Sequence, residues 1–182
     1  EKLKSIVSSN REKVRFANFF WHTYMPDWHK GEDFKKSYAS NKFLGGGVVQ
    51  TCSHEIDLAL FFFGPVKEVF ATNIISNKIL DVESSVIIIL KHKNGIISQI
   101  QLDFLAKNHA RYIKIYSKNH TTEFNFKKNY FLKLSNNQKK KIKINKSQNI
   151  LKAYDAQNKY VFKNLNRPIS SLYSKSIINQ VK

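Results

Sequence analysis

Gly45-Gly46-Gly47-Val48-Val49-Gln50-Thr51-Cys52-Ser53-His54-Glu55-Ile56-Asp57-Leu58-Ala59-Leu60-Phe61-Phe62-Phe63-Gly64-Pro65 holds four of the chain's six glycines and its only cysteine. The spacing predicts a helix with a glycine entrance. Three glycines let backbone approach something closely, Gly64 suits a left-handed stop, and Pro65 cannot continue a helix. Between these limits Gln50, His54 and Asp57 fall at i, i+4 and i+7, on one stripe. Val49, Cys52, Ile56, Leu60 and Phe63 take the opposite, apolar side. A helix that buries one face and aims a His and an Asp at its own glycine entrance reads as the wall of a pocket.

Upstream, Glu32 to Ser40 reads as a short helix with Phe34 and Tyr38 one turn apart. Tyr24-Met25-Pro26-Asp27-Trp28-His29-Lys30-Gly31 before it is a loop punctuated by Pro26 and Gly31. Loops this rich in rigid aromatic and polar groups line ligand sites, or else Trp28 caps the core and His29 is solvated. From Val14 to Thr23 the two alternating sets are both mostly apolar, which predicts a buried strand. Leu3, Ile6 and Val7 mark a short amphipathic helix at the start, which opens without Met as if it continued something longer.

Downstream the texture changes to short strands. Val66 to Ile75 is one, and the β-branched run Ser84 to Lys91 is another. Asn94-Gly95 predicts a type I′ hairpin into Ile97–Phe104, which alternates strictly and has one polar face. Arg111–Tyr116, Thr121–Phe126, Tyr130–Leu134 and Lys141–Asn145 alternate again. About six or seven strands on short turns predict an α+β fold, an open and mostly antiparallel β-sheet with helices packed on one face. Helical spacing returns from Ser147 to Leu165, ended by Arg167-Pro168, and a second helix is expected from Ser170 onward.

The 182 residues are 42% apolar, with 14 Phe and 8 Tyr, enough for one well-cored domain spanning 1–182. One Cys makes no internal disulfide, and no apolar run approaches the ~20 residues of a membrane span. A cytoplasmic location and no membrane partner are the expectation. The net charge of +18 suggests a polyanion partner, yet only Arg11, Arg15, Arg111 and Arg167 are arginines among 31 basic residues. The lysines are spread along the chain among abundant Asn and Ile, so no nucleic-acid partner is assigned. Lys139-Lys140-Lys141 reads as a solvated loop.

His54 is the residue with chemistry to offer. Beside flexible glycines it could exchange a proton with a bound hydroxyl near neutral pH, with Asp57 one turn on to orient the ring. The alternative is a buried His at a helix–sheet contact with Asp57 as its structural partner. His22, His29, His54 and Asp57 have no metal-ligand spacing, so no metal is assigned. Ser53-His54 lacks a nucleophile elbow, Cys52 sits on the apolar side, and no GxGxxG follows a strand.

Tyr24 to His29, Ser37-Tyr38-Ala39, Gly45-Gly46-Gly47 through His54-Glu55-Ile56-Asp57, and Phe63-Gly64 resemble the second half of the Gfo/Idh/MocA oxidoreductases, among them glucose–fructose oxidoreductase and inositol dehydrogenase. The likeness runs on through Ser85–Asp103 and Asn158–Leu165. It implies the C-terminal substrate-binding and oligomerising portion of an enzyme that uses NAD or NADP on a sugar, cyclitol or nucleotide-sugar hydroxyl or carbonyl. It places the family's proton-transfer His on His54, with Tyr24, Trp28, His29 and Tyr38 bordering the sugar and Gln50 and Asp57 as further substrate contacts. The family's cofactor domain and its Glu-Lys-Pro motif are not in this sequence, and Gln50-Thr51 stand where members commonly carry an Asp. The same resemblance implies a homo-oligomer through the open sheet face, and its rival reading is a non-catalytic association module derived from such an enzyme.

Overall fold

The computed structural model describes residues 14–76, 80–128, 130–135, 138–143, 155, 158–160 and 162–163. The expected helices at Glu1–Ser8 and from Ser170 onward lie outside the described residues. Of the expected helix from Ser147 to Leu165, only Asp155, Asn158–Tyr160, Phe162 and Lys163 are described, and all are helical. These belong to a second compact unit, Lys143–Lys182. Within it Lys159 and Asp155 pair across one turn at 2.8 Å.

The first unit, Glu1–Ile142, is built on an eight-stranded sheet. Its strands are β1 (Val14–Tyr24), β2 (Val66–Ile75), β3 (Glu83–His92), β4 (Ile97–Asp103), β5 (Leu105–Ser117), β6 (Thr121–Asn125), β7 (Tyr130–Ser135) and β8 (Gln138–Lys143). Their order is β2-β3-β4-β1-β5-β6-β7-β8. The sheet is mixed. β1 lies parallel to β4 and antiparallel to β5, while β2–β3, β3–β4, β5–β6 and β6–β7 are antiparallel. The α+β reading therefore holds, each of the eight strands overlapping a segment expected to be extended, with one parallel pair at the centre.

Two helices follow the glycines, α1 (Val48–Thr51) and α2 (Ser53–Phe63). The single helix expected here is broken at Cys52, whose φ of −110° and ψ of 23° lie outside helical space. The buried residues are Val48, Cys52, Glu55, Ala59 and Phe63, so the inward stripe is rotated from the expected one. It packs on the sheet through Phe19, whose ring lies 6.4 Å from Phe62 and 6.3 Å from Phe63. Phe19, Ile100, Leu102, Phe104 and Ile113 are fully buried, each stabilising by about 1.5–3 kcal/mol.

The glycine entrance has a structural occupant. Gly47 has φ of 111°, and a Cβ there would collide with the Glu83 carboxylate. Val49 N–H points at Glu83 Oε1, 3.4 Å away, so β3 supplies an acidic group to the start of α1. Gly46 is pressed against the carbonyls of Tyr38, Ala39 and Asn41. At the other end of α2 the Asn94 amide donates to Phe63 O at 3.0 Å, satisfying a terminal carbonyl.

Other local expectations shift. Glu32–Ser40 forms separate 3-10 turns, Phe34–Lys36 and Tyr38–Ser40, each started by a side-chain acceptor, Asp33 and Ser37. The β3–β4 turn closes through Gly95 N–H to His92 O at 2.9 Å and His92 N–H to Ile96 O at 2.8 Å. That is a three-residue loop with Gly95 at positive φ, not a two-residue type I′ turn. Lys139-Lys140-Lys141 lie in β8, exposed, where a strand near the edge of a sheet carries lysine without strain.

His92 ties helix and sheet together. A carbonyl can only accept, so Nδ1 carries the proton toward Gly64 O at 2.8 Å, and in the neutral ring Nε2 accepts from Ser98 Oγ at 2.8 Å. Burial holds this His below its ordinary pKa. No helix among the described residues is long and apolar enough to cross a membrane.

Candidate functional site

The site is assembled where the β1 end at Trp21, the middle of β5 and the first turn of α2 meet. Trp21 faces the helices and pairs in register with Arg111. Its ring contacts Trp28 at 5.6 Å, Phe104 at 5.9 Å, His109 at 6.0 Å and His54 at 6.4 Å. Four of these are edge-to-face arrangements that favour a fixed orientation of the indole. His54 is thereby set at the rim of an aromatic wall, with 43% of its side chain exposed.

Glu55 is the unexpected member. It is 0% exposed, and its Oε1 accepts from Arg111 Nε at 2.6 Å. The same oxygen lies 3.3 Å from His54 Nε2, a close approach without hydrogen-bond alignment. Oε2 has no hydrogen-bond partner among the described residues. A buried carboxylate of this kind is costly unless paired, and Arg111 supplies the pairing charge. The guanidinium in turn lies over the Phe126 ring, 4.1 Å from its centroid, which holds the fork in place. The cluster therefore sets a buried carboxylate against one nitrogen of the His54 imidazole.

Of the residues singled out from sequence, His54 and Trp28 share the Trp21 wall. Trp28 is half-buried and stacks on exposed His29 at 4.6 Å. Tyr24 closes β1 with Lys107 Nζ 3.6 Å from its ring centroid. Tyr38, Gln50 and Asp57 are exposed, and no hydrogen bond, ion pair or ring contact among the described residues ties them to His54. Where Asp57 was expected to orient the ring, Glu55 stands against it. Cys52 beneath is buried, and burial together with the Glu55 charge pushes its thiol well up, away from nucleophile chemistry. Among the described residues no group of three His, Cys, Asp or Glu side chains could hold a metal ion.

Glu55, Arg111 and His109 were missed from sequence. A signal existed for two of them. Cys52, Glu55, Ala59 and Phe63 fall on one helical stripe, and Arg111 is one of four arginines in a chain that otherwise uses Lys.

The fold and this cluster define a sheet domain with a polar, aromatic-lined site on its helical side. The profile of the GFO/IDH/MocA C-terminal domain matches residues 2–123, and the chain belongs to that family. Solved structures with the same fold include UDP-N-acetylglucosamine 3-dehydrogenase from Acidithiobacillus ferrooxidans, with a TM-score of 0.69 and 13% identity, covering 92% of this chain and 50% of that one. An oxidoreductase from Agrobacterium radiobacter in complex with NAD+, L-tartaric acid and magnesium aligns with a TM-score of 0.68 and 15% identity over 90% of this chain and 50% of its own. Levoglucosan dehydrogenase in complex with NADH aligns with a TM-score of 0.64 and 15% identity over 78% and 42%. The chain thus spans about half the length of these proteins or less. A search of curated protein sequences gave no match.

Proposed function

We propose that this domain is the substrate side of an NAD(P)-dependent oxidoreductase acting on a hydroxyl or carbonyl of a sugar, cyclitol or nucleotide-sugar, with His54 moving the proton. The observation that carries the reading is His54 held between the Trp21 indole and the Glu55–Arg111 pair. With its proton on Nε2 beside the carboxylate, a neutral ring has Nδ1 free to accept a hydroxyl proton, and Glu55 stabilises the imidazolium that results. Trp28, His29 and Tyr24 give the amphipathic faces that suit a polyol. Levoglucosan dehydrogenase, of the same fold, has been solved with levoglucosan and with L-sorbose.

The described residues do not fit the dinucleotide. The one glycine-rich entry to a helix is filled by the Glu83 carboxylate, where a phosphate would need a cation or free N–H groups. In this reading the cofactor belongs to a Rossmann domain outside these residues. The test is saturation-transfer NMR of the chain with sugars and cyclitols including levoglucosan. Transfer that falls away in Trp28→Ala and His54→Ala supports the reading. Absence of transfer from every sugar, or transfer indifferent to both substitutions, sinks it.

A second reading, association, rests on β2. Val69 and Phe70 are each 65% exposed and point to opposite faces of a sheet edge, and Ile87, Ile89 and Ile97 lie more than a third exposed on the open face. A second copy covering that face gives a homo-oligomer. Sedimentation velocity over a concentration series distinguishes a dimer, lost in Phe70→Lys/Ile89→Lys, from a monomer at every concentration.

A further inference from the structure

At the end of β5 beyond Arg111, the chain forms an open, solvent-facing cavity of about 480 Å³ that the proposed chemistry does not use. Ser117 lies six residues along the strand from Arg111, about 20 Å at ~3.3 Å per residue, so the two sites do not overlap. The β5–β6 turn builds one wall, closed by Ser117 N–H donating to His120 O at 2.9 Å. The ends of β7 and β8 build the other. Exposed Lys118 and Lys139 stand at the walls with Ser117, Thr121 and Ser135 between them, and His120 is buried at the turn. Two amides and Leu134 complete the lining among the described residues, with no carboxylate among them.

We infer that this cavity is a binding site for a small organic phosphate. Two ammonium groups supply point charges for the phosphate, and the hydroxyls supply directional donors that a purely electrostatic surface lacks. The volume is in the range of small-molecule sites and exceeds what an inorganic ion fills, which selects an organic phosphate over phosphate alone. The nearest acid along β6, Glu123, is engaged by Lys114 at 3.4 Å and does not line the cavity. The inference is independent of His54.

The experiment is isothermal titration of the chain with inorganic phosphate, glucose 6-phosphate and glucose at fixed ionic strength. Glucose 6-phosphate binds and glucose does not, with phosphate alone at least about tenfold weaker. Lys118→Ala/Lys139→Ala weakens binding about tenfold or more, as loss of two charge-assisted contacts requires. Lys35→Ala/Lys36→Ala, which removes the same charge from an exposed turn, leaves it unchanged. Leu134→Trp fills the cavity without altering charge and blocks binding; Leu134 is 39% exposed, so the fold tolerates the indole. Equal weakening by both lysine pairs shows bulk charge only, and binding that survives Leu134→Trp shows another location. Either result overturns the inference, as does failure of glucose 6-phosphate to bind, while His54→Ala leaves a correct site intact.

Discussion

Replacing Arg111 by Met removes the guanidinium from a carboxylate that has no access to water. The methionine roughly keeps the aliphatic volume and the contact with Phe126, so the change isolates the charge. The 2.6 Å bond to Glu55 Oε1 disappears, and Oε2 is already without a partner among the described residues. What is left against Glu55 is the buried His54 Nε2 at 3.3 Å, poorly aligned. Breaking a buried pair from one side costs about 3–5 kcal/mol, because the remaining charge is uncompensated. With a urea dependence of about 2 kcal/mol per molar, the unfolding midpoint falls by roughly 1.5–2.5 M. Trp21 and Trp28 sit at the cluster and report unfolding by fluorescence. Removing both charges, in Glu55→Gln/Arg111→Met, recovers at least about half of the loss, since neither variant residue carries a stranded charge. A single Arg111→Met cost below about 1 kcal/mol, or a double variant less stable than the single, would refute the account of Glu55 as a charge held buried by Arg111.

Three further outcomes follow from other parts of the fold. Gly47→Ala places a side chain at φ of 111° against the Glu83 carboxylate, and the strain of about 1–3 kcal/mol lowers Tm by roughly 3–10 °C in a thermal scan; an unchanged Tm contradicts the close approach. Burial depresses the His92 pKa below 6.5, so the unfolded chain binds the extra proton first. Stability from this group is whole above about 6.5 and is lost as pH falls toward the folded value. Urea midpoints at pH 7.5 and pH 5 differ less in His92→Gln than in the parent chain, and an identical pH slope rejects this. Cys52, buried and with its thiol pushed up, reacts with a disulfide reagent at least about a hundredfold more slowly in the native chain than in denaturant; comparable rates would place the thiol at the surface.

The strands were legible because their cause is local. β3 is a β-branched run, and β4 alternates Ile97, Gln99, Gln101 and Asp103 against Ser98, Ile100, Leu102 and Phe104, as a half-covered strand must. The break at Cys52 was not legible, because no Gly or Pro marks it and the glycine entrance before it is held against Glu83, over thirty residues away in sequence. Periodicity likewise rotated the helix stripe, since a charged residue is assigned outward by default and Glu55 goes inward only because Arg111 waits on β5. His54 and Trp28 were found, as rigid or titratable groups flanking glycines, whereas His109 became visible only when the sheet brought it to Trp21. The parallel β1–β4 pair leaves no mark in either strand's sequence, because both faces of β1 are apolar whichever neighbour it takes.

That central placement of β1 has a consequence in time. Both neighbours of the first strand come late in the chain. Phe16 pairs with Ile97 on one side and with Tyr116 on the other, a separation of 100 residues in the second case. At about 5–20 residues per second, a ribosome takes roughly 5–20 s to give Phe16 both of its partners, and Phe19, Phe20 and Trp21 wait nearly as long. During synthesis this aromatic-rich strand is therefore an unpaired sticky ribbon, and the newborn chain needs shielding from its neighbours until β5 emerges.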